Sequence, residues 1–136
     1  MNIYIGTLLF MFLFFSCKKK PESYTELLST LSEVKIVDDN EFDFGEINHG
    51  DTLTHTFILK NVSQNVYKIE NVQVSCGCTT VIFTRDSVKT QDYAKIKIEY
   101  IPSQEDSGLV KKSIVVSDNS KSGFNTMSLK GIVLKN

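Results

Sequence analysis

The sequence predicts an all-β fold, a sandwich of about seven short strands, and three observations support this prediction. Apolar and polar residues alternate over most of the chain after residue 38, and clusters of turn-forming residues separate the alternating runs. A hydrophobic content of 41% in 136 residues is sufficient for one packed core. Helical and extended segments do not alternate, so a parallel α/β sheet is not expected.

The alternation places each strand and its buried face. In chain order, the predicted strands cover 42–44, 52–62, 66–75, 79–83, 93–101, 109–117 and 124–134, with turns at 38–40, 48–51 and 61–65. The predicted core residues include Phe57, Ile69, Val72, Val74, Ala94, Ile96, Ile98, Tyr100, Ile114, Val116, Met127, Leu129 and Val133. His55 shares the apolar face of its strand and is expected to be half-buried, whereas His49 lies in a turn and is expected to be solvated.

The N-terminal segment has the composition of a secretory signal. Residues 1–16 carry no charged side chain, and 3–15 are almost wholly apolar. This run is shorter than the approximately 20 residues that a transmembrane helix needs, and it fits the apolar region of a cleaved signal. The alternative is an uncleaved anchor, with Lys18, Lys19 and Lys20 retaining the following chain in the cytoplasm.

The signal ends in Phe14-Phe15-Ser16-Cys17, which resembles the lipobox of bacterial lipoproteins. This resemblance implies cleavage after residue 16, acylation of Cys17, and anchoring of the protein to the inner or outer membrane, facing the periplasm. Two or more acyl chains give stable membrane attachment. Residues 24–34 have apolar residues at helical spacing and predict a short helix or an ordered tether. We therefore divide the chain into a signal (1–16), a lipidated tether (17–35) and a domain (36–136).

Four segments of the domain together resemble a bacterial family of unknown function that has an immunoglobulin-like fold. They are F-D-F-G-E-I at 42–47, T-H-T-F-I-L-K-N at 54–61, S-C-G-C-T-T at 75–80 and L-K-G-I-V at 129–133. The family is related in architecture to ASH, hydin and major-sperm-protein-like domains, and it is common among envelope lipoproteins. The resemblance implies an immunoglobulin-like β-sandwich without an established activity. The family usually has a Pro-Gly turn before the strand at Ala94, where this chain has Lys89-Thr90-Gln91-Asp92.

The S-C-G-C-T-T motif, which comprises Ser75, Cys76, Gly77, Cys78, Thr79 and Thr80, contains the pair of cysteines that can carry chemistry. In a flat strand, residues two apart have Cα atoms about 6.6 Å apart, which is too far for the Cβ separation of about 3.8 Å in a disulfide. We expect Gly77 to bend the chain through a positive φ. Three interpretations remain open. The cysteines are two packed thiols, or they form a strained disulfide of the vicinal type that is readily reduced. In the third interpretation they form a soft-metal site, which binds Cu(I) or, together with His49 and His55, Zn²⁺.

The sequence favours a binding module over an enzyme. It has no Ser-His-Asp signature, glycine-rich phosphate loop or HExxH motif, and its net charge of −1 gives no electrostatic basis for binding nucleic acid. We expect a non-catalytic protein-binding or structural module without a cofactor, whose partner is another envelope protein. The alternative is a thiol-redox or copper-handling protein that is centred on Cys76 and Cys78.

Overall fold

The computed structural model describes residues 30–135, which form eight strands in two four-stranded sheets. The strands are β1 (Val34–Ile36), β2 (Glu41–Asn48), β3 (Leu53–Asn61), β4 (Ile69–Val74), β5 (Thr79–Phe83), β6 (Tyr93–Tyr100), β7 (Gly108–Asp118) and β8 (Phe124–Leu134). The first sheet has the order β1-β3-β6-β5 and the second β2-β8-β7-β4. All neighbours are antiparallel except β2 and β8, which are parallel. The prediction of an all-β, immunoglobulin-like sandwich is confirmed.

The core lies between the two sheets and consists mainly of residues that the alternation selected, together with Tyr67 and Val88, which it did not select. Phe57, Ile96 and Ile98 of the first sheet are fully buried, and so are Ile114 and Leu129 of the second. Val72 and Val74 of β4 are only partly buried, because β4 is an edge strand. Most of the strands therefore direct their larger apolar side chains inward, as expected for a sandwich.

The first sheet includes residues that precede the predicted start of the domain at residue 36. Val34 begins β1 and pairs with Asn61, so its backbone is extended and not helical. Ser32 is already fully buried and donates its N–H to the carbonyl of Asn119 at 3.0 Å. The predicted signal at 1–16, Cys17 and most of the predicted helix at 24–34 lie outside the described residues. Among residues 30–135, no helix is long and apolar enough to cross a membrane.

Candidate functional site

The S-C-G-C-T-T motif forms the corner at which the chain passes from the second sheet to the first. The motif begins directly after β4, and Thr79 is the first residue of β5. Ser75 anchors the start of the corner, since its N–H donates to the carbonyl of Ser113 at 3.1 Å and its Oγ accepts from the N–H of Ser113 at 3.0 Å. The motif that the sequence singled out is therefore a junction between the two sheets.

Cys76 and Cys78 are joined by a disulfide across this corner. A turn from Cys76 to Thr79, in which the N–H of Thr79 donates to the carbonyl of Cys76 at 3.4 Å, brings the two cysteine Cα atoms to 5.2 Å. This separation lies within the range that disulfides require. The expected positive φ at Gly77 is wrong, because the turn bends the chain without it. Of the three interpretations left open by the sequence, the structure has the bonded pair.

Thr79 places its hydroxyl beside both sulfurs. Its Oγ1 lies 3.3 Å from Cys76 Sγ and 4.0 Å from Cys78 Sγ. Thr79 itself is buried, with 8% of its surface exposed, whereas both cysteines are half-buried. The sulfurs therefore have a polar neighbour on the protein side, and Cys78 also packs against the hydrophobic core.

The two histidines do not join the cysteines in a metal site. The ring of His55 stacks on the ring of Phe42, with 3.7 Å between the ring centroids, and packs edge-on against the ring of Phe57, with 4.5 Å between the centroids. Burial lowers the pKa of His55, and Asp38 partly opposes that change. The structure confirms that His55 is half-buried. Within residues 30–135, no three His, Cys, Asp or Glu side chains form a group that can hold a metal ion.

His49 belongs to a polar network that the sequence did not predict. Its Nε2 lies 2.8 Å from the carbonyl oxygen of Asp106, so the expectation of a solvated His49 is wrong. The Asp106 carboxylate is buried and accepts hydrogen bonds from Tyr100 Oη at 3.0 Å, from Ser103 and from Lys112. Burial alone raises the pKa of Asp106, but these hydrogen bonds outweigh it and bring the pKa to about 2. Burial and the bond to Asp106 raise the pKa of Tyr100.

The outer edge of β5 is the second candidate site. The N–H of Ile101 donates to the carbonyl of Cys78, and the N–H of Thr84 donates to the carbonyl of Lys95. The backbone groups of Thr80 and Ile82, which lie at alternate positions between Cys78 and Thr84, therefore also face β6. In an antiparallel ladder the alternate residues, Val81 and Phe83, then point their backbone N–H and C=O groups away from β6. β5 is an edge of its sheet in the described part of the chain, and Ile82 on its outer face is 61% exposed.

The outer face of the first sheet is basic. Its four strands carry four lysines and a single acidic residue, Glu99. The register places Lys35 beside Lys60, and Lys97 beside Ile82 of β5. Lys97 also pairs with Glu99 at 2.7 Å. We call this surface, defined by Lys35, Lys60, Lys95 and Lys97, the lysine face.

Comparisons with known proteins identify the family and the fold. The sequence profile described as "Protein of unknown function (DUF1573)" matches residues 36–133. No curated protein sequence matches the chain.

Several solved structures have the same fold at low sequence identity. A Porphyromonas gingivalis W83 protein of unknown function matches with a TM-score of 0.67 and 15% identity over 77% of this chain, which spans about half (48%) of that protein. The ASH/PapD-like domain 7 of human CEP192 matches with a TM-score of 0.60 and 13% identity, covering 86% of this chain and 93% of that domain. The periplasmic chaperone SfaE matches with a TM-score of 0.54 and 6% identity, over 76% of this chain and 58% of the chaperone.

Proposed function

Since this chain belongs to the DUF1573 family of proteins of unknown function, we propose that its domain is a non-catalytic protein-binding module of the bacterial cell envelope. We further propose that the module binds an extended, acidic segment of another envelope protein, which adds as a new strand beside β5. The interaction requires no cofactor and no chemical step.

The free edge of β5 is the observation that carries this proposal. The outward backbone groups of Val81 and Phe83 can pair with an added strand, since main-chain hydrogen bonds supply the affinity in strand addition. Ile82 offers an exposed apolar contact for alternate side chains of that segment. The fold also supports protein binding, because SfaE, which shares it, is described as a periplasmic chaperone.

The lysine face determines the chemistry of the proposed partner. An added strand would lie about 5 Å from β5, with its outer side chains on the same side as Ile82. Lys97 and Lys95 follow on β6, the next strand of the sheet, and long lysine side chains reach across such a distance. Acidic side chains on the partner therefore complement this surface, and charge complementarity selects the partner and accelerates association.

Membrane attachment is the other part of the proposal. We propose that the signal is removed, that Cys17 is lipidated, and that Lys18, Lys19 and Lys20 add attraction to anionic headgroups of about 1 kcal/mol per charge. The chain from Cys17 to Ser32 spans at most about 50 Å. The domain would therefore stay close to the membrane and to membrane-bound partners.

Binding of defined peptides to the purified domain tests the proposed function. We expect a short peptide of alternating valine and glutamate to bind about tenfold more tightly than one of alternating valine and lysine. Val81→Pro should abolish binding without unfolding the domain, because proline is tolerated at an edge position whose N–H faces solvent. Lys95→Glu with Lys97→Glu should remove the preference for the acidic peptide.

The matched control changes the same number of charges on the second sheet. Lys111→Glu with Lys135→Glu, two exposed positions on or next to β7 and β8, should leave peptide binding unchanged. Equal losses from both double variants would show that net charge alone governs binding. Tight binding to folded Val81→Pro would contradict strand addition at β5.

A further inference from the structure

We infer that the Cys76–Cys78 disulfide is a thiol–disulfide exchange site, in which an incoming thiolate attacks Cys78 and Cys76 leaves as a thiolate. The reductant is a dithiol on an exported protein or a small thiol. This activity is independent of peptide binding at β5, and three features of the corner support it.

The first feature is that backbone hydrogen bonds hold the corner without help from the disulfide. Ser75 is fixed to Ser113 on one side, and the carbonyl of Cys78 accepts from the N–H of Ile101 at 3.0 Å on the other. The turn between them is closed by the bond from Thr79 to Cys76. Reduction therefore leaves the two cysteines facing each other, so the bond can form again without refolding of the domain.

The second feature is the size of the ring that the disulfide closes. The bonded cysteines are separated by two positions in the sequence. A disulfide stabilises a fold chiefly by restricting the unfolded chain, and this effect is smallest for the shortest loops. The pair is thus poorly placed to stabilise the domain and well placed to react, since both cysteines are half-buried at an exposed turn.

The third feature is the position of Thr79, which gives the exchange a direction. The Thr79 hydroxyl is closer to Cys76 Sγ, at 3.3 Å, than to Cys78 Sγ, at 4.0 Å. A donated hydrogen bond stabilises a thiolate more than a thiol, and the sulfur with the lower thiol pKa leaves faster. Attack at Cys78, which expels Cys76 beside Thr79, is therefore the favoured route.

The exchange balances as two displacements. In the first, the thiolate of the reductant bonds to Cys78 Sγ, the Cys76–Cys78 bond breaks, and its electron pair stays on Cys76 Sγ, which accepts a hydrogen bond from Thr79. In the second, a further thiolate attacks the sulfur that the reductant contributed to the mixed disulfide and expels Cys78 as a thiolate. This thiolate is the other thiol group of the dithiol, or a second molecule of the small thiol. The reductant is then oxidised to a disulfide by two electrons, and both cysteines are reduced.

Trapping the mixed disulfide tests this direction. Purified protein is treated with reduced glutathione, quenched with N-ethylmaleimide, and sequenced by tandem mass spectrometry, which distinguishes adducts on either side of Gly77. We expect glutathione on Cys78 and maleimide on Cys76. Glutathione on Cys76, an equal distribution, or no reaction with glutathione would each overturn the inference.

Variants of Thr79 separate the role of its hydroxyl from that of its shape. Thr79→Val should slow reduction of the disulfide by about tenfold, because it removes a hydrogen bond to a charged group. Thr79→Ser retains the hydroxyl and should react like the wild type, as should Thr80→Val at the exposed neighbouring position. Equal rates for Thr79→Val and Thr79→Ser would exclude the hydroxyl.

The fold of the reduced protein supplies the remaining check. The double variant Cys76→Ser/Cys78→Ser should retain the circular dichroism spectrum and the cooperative unfolding of the wild type. Unfolding of this variant would mean that the bond has a structural role and would overturn the inference.

Discussion

Gln91 occupies a backbone conformation that suits glycine. Its φ is +67°, and it lies in a turn in which the N–H of Asp92 donates to the carbonyl of Lys89 at 3.1 Å. The departure from the family's Pro-Gly pattern is therefore real in the sequence, yet the turn still forms. The remaining structure imposes the turn on Gln91, and a left-handed conformation costs a residue with a Cβ about 1–2 kcal/mol.

Gln91→Gly should stabilise the domain by about 1 kcal/mol, because glycine adopts a positive φ without that cost. Urea denaturation of the two proteins measures the difference. Gln73→Gly is the control, since Gln73 lies exposed in β4 and glycine there should destabilise the domain by about 0.5–1 kcal/mol. A loss of stability from Gln91→Gly would show that Gln91 makes a contribution beyond its backbone.

Gly131 is required for a different reason, the close approach of two strands. A Cβ at Gly131 of β8 would lie 2.7 Å from the carbonyl oxygen of Gly45 and would overlap the ring of Phe44. Both of these residues belong to β2, which bulges between Asp43 and Glu46. Gly45 and Gly131 both lie in segments that resemble the family, but the sequence of neither strand predicts that the two residues are in contact. The contact joins segments that are more than eighty residues apart in the chain.

Gly131→Ala should destabilise the domain by about 1–3 kcal/mol, which is the usual cost of overpacking. The backbone oxygen of Gly45 cannot rotate away as a side chain can, so the upper end of this range is expected. Thermal and urea unfolding give the value. In contrast, Gly77→Ala should change stability little, because a Cβ there meets open space and φ is not positive. Equal effects at the two glycines would contradict this account.

Among the strands, the sequence predicted β5 and β6 better than β1. The alternation from Tyr93 to Tyr100 is regular and ends at clear turns, so β6 was predicted within one residue. β1 has three residues, Val34–Ile36, and its apolar positions merged with the helical spacing of 24–34. A strand this short exists because it pairs with β3, which is a tertiary interaction that local sequence does not encode.

Tyrosine–aspartate pairs fix both ends of β7. Tyr100 bonds to Asp106 just before the strand, and Tyr67 donates to Asp118 Oδ2 at 2.9 Å at its last residue. Burial, together with Asp118, raises the pKa of Tyr67. No motif in the sequence predicted these tyrosine–aspartate pairs, because the partners come together only when different parts of the chain pack against each other.

Asp106→Asn should reveal an acid-sensitive contribution to stability. The pKa of Asp106 is about 2 in the folded protein and about 3.9 in an unfolded chain. This contribution is therefore fully present above about pH 4 and is lost as the pH falls through about 2. We expect the stability advantage of the wild type over the variant to shrink by about 2 kcal/mol between pH 5 and pH 2.

Urea denaturation at both pH values measures this advantage, and a second aspartate serves as the control. Asp86→Asn removes the same charge from an exposed position after β5 and should give nearly equal stability to the wild type at each pH. A difference between wild type and Asp106→Asn that stays constant with pH would exclude Asp106 as an acid-sensitive group.

At the scale of the whole domain, the described chain begins at one end of the sandwich, and the disulfide corner lies at the opposite end of the first sheet, where Cys78 bonds to Ile101 directly after β6. Ser32 contacts Asn119 and Ser120, which follow the last residue of β7. The corner follows β4, whose last residues pair with the middle of β7, so β4 separates the two sites by about 20 Å. The fold itself was predictable from the alternation, but this polarity depends on which strands pair and required the structure.

This polarity gives the proposed lipid anchor a structural consequence. A tether from Cys17 would join the domain at the end that contains Ser32, so the Cys76–Cys78 corner would lie at the end of the first sheet that is farther from the point of attachment. Partners in the periplasm could then reach the corner. This access requires that Cys17 be the point of attachment, because an uncleaved anchor is expected to retain the domain in the cytoplasm.

Intact-mass spectrometry of protein extracted from membranes tests this attachment. We expect the loss of residues 1–16 and the addition of acyl mass on Cys17, because the segment before Cys17 resembles a lipobox. Two or more acyl chains should also keep the protein in the membrane fraction through washes at high salt, which remove proteins that are held only by charge. Cys17→Ser should retain residues 1–16 and gain no acyl mass. A wild-type chain that is full-length and unmodified would exclude the lipid anchor and leave the uncleaved segment as the means of attachment.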